Sequence, residues 1–223
     1  MTPAGTFTLT ADGLRASLVA RPTTDLALDR LAVAGEGLAL TAPDGARLGA
    51  ATARLATRRD GSAPHAHEVG LDVTGLAPDP ARAALAGLPP VAETLRIVAV
   101  AALTAPLDRH AAAAPPTLDR LTLREATFRW GPAALTASGE ITADAQGRAE
   151  GTVSIRITDW RRMLDAATAL GLIRPEIAPT WAEMARRLSE AAGSGDDLDL
   201  PLRMSGGRLS LGPLPLGAAP QMR

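Results

Sequence analysis

The chain reads as an α+β protein, predominantly antiparallel β, in which many short strands build a curved or twisted sheet or a sandwich covered by two or three short amphipathic helices. Three observations predict this. Apolar residues alternate with a period of two along most of the chain, turn dipeptides separate the alternating runs, and only three segments change to helical spacing.

Taken in order, Phe7 and Leu9 already alternate, which suggests that the chain starts partway through a longer protein. Leu14, Ala16, Leu18 and Ala20 share one face; Val69, Leu71 and Val73 share another, as do Leu95, Ile97, Ala99, Ala101 and Leu103. Asp12-Gly13, Asp44-Gly45, Asp60-Gly61, Gly131-Pro132 and Gln146-Gly147 supply turn chemistry between runs. In "LTLREATFRW" the apolar positions change parity: Leu121 and Leu123 are odd, whereas Ala126, Phe128 and Trp130 are even. A β-bulge at Arg124-Glu125 would put both sets on one face. The segment 139–167 then predicts a strand, a turn at Asp144 to Gly147, a strand burying Val153, Ile155 and Ile157, and a helix capped by Asp159.

Three segments predict helices. "PDPARAALAGL" has Asp79 as a cap and Pro80 in the first turn. About 159–171, Trp160, Met163, Leu164, Ala167 and Leu170 form a stripe that stops at Gly171, and about 180–192 a helix opens on Thr180 and Glu183 in capping-box spacing. Leu-Asp-Arg-Leu occurs near the start of both 26–40 and 116–130, and "PLDRHAAAAPP" reads as a linker. Two units follow, an N-terminal β-rich unit over 1–108 and a C-terminal β-unit with the helices over 109–223, with one continuous domain as the alternative.

Composition narrows the function. A length of 223 residues can bury a substantial core, yet aromatics are only 2% of the chain, so the interior is built from Leu, Val, Ile and Ala. Every basic residue is Arg, a pattern that a GC-rich genome explains without Arg-specific chemistry. The net charge is −1 and no basic run is interleaved with aromatics, which argues against nucleic acid as a partner. There is no Cys, so disulfides and thiolate chemistry are excluded. No apolar run reaches the roughly 18–20 residues of a membrane span, and "MTPAGTFTLTADG" lacks the features of a signal peptide.

Chemistry-bearing motifs are few. His65 and His67 in "HAHE" are the only metal-ligand types in close spacing; on a strand they would share a face about 7 Å apart, a geometry open to zinc. A bare pair seldom suffices, and a polar turn running into a strand is the favoured reading. His110 reads as solvated, "SGDDLD" as a loop lacking the ligand spacing of a calcium site, and Ser205-Gly206-Gly207 as no nucleophile elbow. Trp130, Trp160 and Trp181 fall on apolar stripes and read as core rather than a ligand groove. No catalytic residue, cofactor or firm metal site is expected.

The stretch "LDRLTLREATFRWGPAALTASGEITADAQGRAEGTVSIRITDWRRMLDAATALGL" resembles the recurring unit of AsmA-like bacterial envelope proteins: a strand ending in Gly, a D-x-x-G-x-x-x-G hairpin, another strand, and a helix after an Asp. With "TADGLRASLVARPTTDLALDRLAVAGEGLAL" and "LDLPLRMSGGRLSLGPLPLGAAP" added, nearly the whole chain resembles the DUF2125 family of alphaproteobacteria. The resemblance implies a periplasmic, inner-membrane-associated body anchored by an N-terminal segment that this chain lacks. It also implies, by analogy with AsmA-like proteins, an apolar sheet groove that handles lipid. The expected function is therefore a noncatalytic β-rich envelope protein, with lipid acyl chains or envelope proteins as partners. A protein-interaction scaffold is the alternative, and a metal-dependent hydrolase using His65 and His67 stands third.

Overall fold

The structure, a computed structural model, describes residues 6–43, 45–79, 84, 87–169 and 173–222. The strands are β1 (Thr8–Thr10), β2 (Gly13–Ala20), β3 (Leu28–Thr41), β4 (Arg47–Arg59), β5 (Ala66–Pro78), β6 (Ala92–Leu103), β7 (Leu118–Trp130), β8 (Ala133–Ala143), β9 (Ala149–Thr158), β10 (Leu198–Ser205), β11 (Arg208–Leu211) and β12 (Leu214–Ala218). Two helices, α1 (Trp160–Ala169) and α2 (Ala178–Ala192), lie between β9 and β10. Strand makes up 56% of the described residues and helix 12%, so β dominates as expected.

All twelve strands belong to one open, curled antiparallel sheet. From β3 to β12 each strand lies beside its neighbours in sequence, an arrangement that tight turns permit because antiparallel partners need no crossover. At the N-terminal edge β1 and β2 both pair with β3, β1 along Ala39 to Thr41 and β2 along Leu28 to Glu36. Asp12-Gly13 therefore breaks two collinear strands and does not form the turn of a hairpin. The space beneath it is made by Gly37 (φ 57), where a Cβ would overlap the Asp12 carboxylate.

The turn between β8 and β9 forms as the sequence predicts. The carboxylate of Asp144 accepts hydrogen bonds from the backbone N–H of Gln146 (2.8 Å) and Arg148 (2.9 Å) and from Arg148 Nε (3.0 Å). These bonds hold its pKa below the ordinary carboxylate range. Gly147 takes the left-handed conformation (φ 79) that closes the loop. Gly131-Pro132 joins Trp130 and Ala133 as a two-residue turn, and the Gly131 N–H donates to the Glu93 carboxylate at 2.9 Å. Asp44 lies outside the described residues, while Gly45 (φ 84) turns the chain into β4.

The predicted bulge is present: Leu123 pairs with Gly139 and Ala126 with Ala137, so that Arg124 and Glu125 together oppose the single residue Ser138. The predicted helix over 80–86 lies outside the described residues apart from Ala84. Helix α1 begins one residue after Asp159, whose carboxylate accepts the Arg162 N–H at 3.2 Å; Leu170 and Gly171 lie outside the described residues. The second helix departs from expectation. It starts at Ala178, with Ile177 as an N-cap that makes no side-chain bond and Pro179 in the first turn. Thr180 therefore caps nothing, because Glu183 pairs with Arg186 and Arg187 on the exposed side and does not reach back to the helix start.

β6 pairs with β7 along most of their lengths on either side of the 104–117 connection. That connection is ordered: Leu107 O accepts the Leu28 N–H at 2.7 Å, Asp25 O accepts the Arg109 N–H at 3.2 Å, and Thr117 O accepts the Thr104 N–H at 3.0 Å. Many of the buried residues gather in three clusters. One joins Trp130, Ala133, Ala92 and Leu88 to Ala166 of α1. A second groups Ala66, Val100 and Ala102, and a third brings Ala219 of the C-terminal tail onto Ala149 and Met204. Trp130 is 1% exposed and donates through Nε1 to Pro89 O at 2.6 Å.

Trp130→Ala is expected to cost about 3–5 kcal/mol, read by chemical denaturation. Gly151→Ala is expected to cost roughly 2 kcal/mol or more, since Gly151 (φ 144) lies against β8 and a Cβ would stand 2.9 Å from Ile141 Cα.

Candidate functional site

Residues opposite each other across a β-ladder share a face, so the register decides what each face presents. One line from β2 to β10 reads Ala16, Val33, Leu55, Leu71, Ile97, Ala126, Ala137, Ile155, Leu200. A parallel line reads Leu14, Gly35, Ala53, Val73, Leu95, Phe128, Leu135, Ile157, Leu198. A third, on the other side, runs from Leu18 and Leu31 through Thr57, Val69, Ala99, Leu123, Gly139 and Val153 to Leu202. Across these three lines Thr57 alone carries a polar side chain, and its hydroxyl is buried without a partner.

The opposite face is ionic. One residue away from the first line, the register reads Arg15, Ala34, Arg54, Asp72, Arg96, Thr127, Thr136, Arg156, Asp199. Arg96 pairs with Asp72 at 3.2 Å, and Arg156 with Asp199 at 2.8 Å. Arg124, at the bulge, reaches across β6 to Glu68 at 2.6 Å, which also meets Arg58 at 2.7 Å. Hydrogen bonds from Arg156 lower the Asp199 pKa, and hydrogen bonds from Ser62 followed by the charges of Arg124 and Arg58 lower that of Asp60. A shallow trough of about 440 Å³ lies on this face beside the bulge, lined by Arg124, Thr127, Ser138, Arg156 and Asp199 among others. Its arginines are paired with carboxylates.

The apolar face changes character along the sheet. At β8 to β11, α1 and α2 pack over its edge, and Trp160, Met163, Leu164 and Ala167 of α1 face Trp181, Met184 and Leu188 of α2 across a cavity of about 180 Å³ floored by Ile157, Leu198, Leu200 and Leu211. The lining is almost wholly apolar. Trp160 is 4% exposed with its indole N–H unpartnered, and the Arg161 guanidinium lies 4.5 Å from its ring centroid. At the other end of the same strands the C-terminal tail lies over Ile141, Val153 and Leu202. Toward the N-terminal edge the face is open: Leu14 is 64%, Leu18 65% and Leu55 40% exposed.

The sequence-predicted site residues fall apart. His65 precedes β5 in a left-handed turn (φ 54), so the expected shared strand face is not formed; His67 is on β5, opposite Arg59 and Ala101. Among the described residues, no group of three or more His, Cys, Asp or Glu is placed to hold a metal ion. His110 is exposed with Asp25 at 4.0 Å. Asp196 of "SGDDLD" accepts the Trp160 N–H at its carbonyl (3.0 Å) and pairs with Arg161, fastening the start of α1. Ser205-Gly206-Gly207 makes the β10–β11 turn, with both glycines left-handed. Trp130 and Trp160 are buried, as read from sequence, and Trp160 lines the apolar cavity together with the half-buried Trp181. What single-strand patterns miss is the joining of the apolar lines, because register is a property of pairs of strands.

His67 is 4% exposed, and Nδ1 has no partner. Burial first, then the Arg59 charge, pushes its pKa below 6.5, against a smaller opposing pull from Asp29. The unfolded chain therefore binds a proton at His67 more readily than the folded one, so stability is full above pH 6.5 and declines as pH falls below it. Denaturation midpoints between pH 8 and 5 are expected to fall for the wild type and to fall less for His67→Leu.

Among the described residues no helix is long and apolar enough to cross a membrane, which leaves membrane-crossing strands unaddressed. No curated protein and no solved structure matches the chain. A family model does match, over residues 1–220: the chain belongs to DUF2125, a family of uncharacterized proteins conserved in bacteria.

Proposed function

We propose that this protein is a noncatalytic β-rich component of the bacterial envelope that holds lipid acyl chains against its apolar sheet face. The observation that carries the reading is the continuity of that face: three adjacent lines of apolar side chains run from β2 to β10, and their N-terminal end exposes Leu14, Leu18 and Leu55. Exposed apolar surface of this extent is costly in water, and a monomer keeps it only when something apolar covers it. In this reading α1 and α2 cover one end of the face and close off a small cavity that would take a chain terminus, while the ionic face keeps the other side in water. The resemblance of the 118–172 unit to AsmA-like proteins supports the envelope address and the choice of lipid over another apolar ligand.

The protein expressed in a bacterial envelope and purified without detergent is expected to carry phospholipid, detected by native mass spectrometry and by extraction into organic solvent. Leu18→Asp combined with Leu55→Asp, both at exposed positions, is expected to reduce bound phospholipid several-fold while leaving the circular dichroism spectrum unchanged. Wild-type protein free of lipid would overturn the reading.

A further inference from the structure

We infer that the open edge at β2 is a self-association surface, on which a second copy of this chain continues the sheet. The inference does not rest on lipid binding.

The two edges of the sheet are built differently. β12 is five residues long, contains Pro215 and Gly217, and has an irregular register with β11, which are devices that stop a further strand from pairing. β2 has eight residues, Gly13–Ala20, without proline, and among the described residues its only strand partner is β3. Arg15 is its one charged residue, and positions 13–18 are exposed. Such an edge presents a row of unpaired N–H and C=O groups, blunted only by the charge of Arg15 and by a register shift against β3 at its Val19/Ala20 end.

A second β2 fits this edge by its own sequence. In an antiparallel pair the apolar faces stay together only when the two opposed residue numbers sum to an even number. Centred on Ser17, each Leu meets an Ala: Leu14 opposite Ala20, Ala16 opposite Leu18. On the ionic face Arg15 lies opposite Val19 and Ser17 opposite Ser17, so no like charges oppose. Large against small on one face and no repulsion on the other is the self-complementarity that a twofold contact demands. The apolar lines then run through the dyad into the second copy.

Sedimentation velocity on the full chain is expected to show a dimer at tens of micromolar. Ser17→Arg places two guanidinium groups against each other at the dyad and is expected to shift the equilibrium at least tenfold toward monomer with unchanged circular dichroism. Because the chain has no Cys, Ser17→Cys supplies a single thiol on each copy. A short bismaleimide is expected to join two copies of this variant and to leave Ser154→Cys, an exposed position in the interior of the sheet, unjoined. A monomeric wild type, a dimer unaffected by Ser17→Arg, or equal crosslinking of the two cysteine variants would each overturn the inference.

Discussion

Cross-strand register is the constraint on which the rest of this protein depends. A side chain in a strand faces the opposite way from its neighbours, so a slip of one residue between β4 and β5 would put Arg54 where Leu55 now meets Leu71 and Ile97, and the same holds at every other ladder. The cost of burying arginine against apolar surface fixes each pairing, and each pairing fixes the next. The bulge at Arg124-Glu125 belongs to this logic. Without it Ala126, Phe128 and Trp130 would turn to the ionic face, and Trp130 could not reach Ala133, Ala92 and Ala166.

The β8–β9 hairpin shows how backbone chemistry supports the register. Asp144 gathers two backbone N–H groups and a guanidinium, Gly147 supplies the left-handed residue, and the strands leave the turn already paired from Ala143 and Ala149. Gly139 and Gly151 then lie where the facing strand comes close. A Cβ at Gly139 would stand 2.6 Å from Val153 Cα, so these positions admit backbone and no side chain. The D-x-x-G-x-x-x-G spacing thus has a physical content: a capped turn followed by a close strand approach.

The two ends of the molecule divide its labour. Around β7 to β11, α1, α2 and the C-terminal tail pack against the sheet, and two of the three buried clusters lie there; the third, Ala66, Val100 and Ala102, lies on β5 and β6. Around β2 to β4 the apolar face is more open, although β3 and β4 are as long as the strands at the other end and are paired on both sides. Backbone pairing stabilises that part without a second layer, and its apolar surface is left to be satisfied from outside. Arginine supplies all of the basic charge on the reverse face, where its length lets Arg124 span from β7 to Glu68 on β5.

The alternation within each strand, the turns at Gly131-Pro132 and at Asp144 to Gly147, the bulge and the cap at Asp159 were legible in the sequence, because each is decided by a residue and its nearest neighbours, whereas Asp12-Gly13 has turn chemistry but only separates two strands that both pair with β3. The start of α2 was misread for the same reason: Thr180 and Glu183 have the spacing of a capping box, but the arginines one turn further along hold Glu183. His65 and His67 have strand spacing, yet the turn from Asp60 ends between them. The sequence by itself determined that the chain is a run of amphipathic antiparallel strands with short helices. Only the tertiary structure decided that those strands form one sheet whose apolar lines join, with Thr57 as the one polar side chain among them, since that outcome rests on pairings between residues far apart in the chain and on the register that links them.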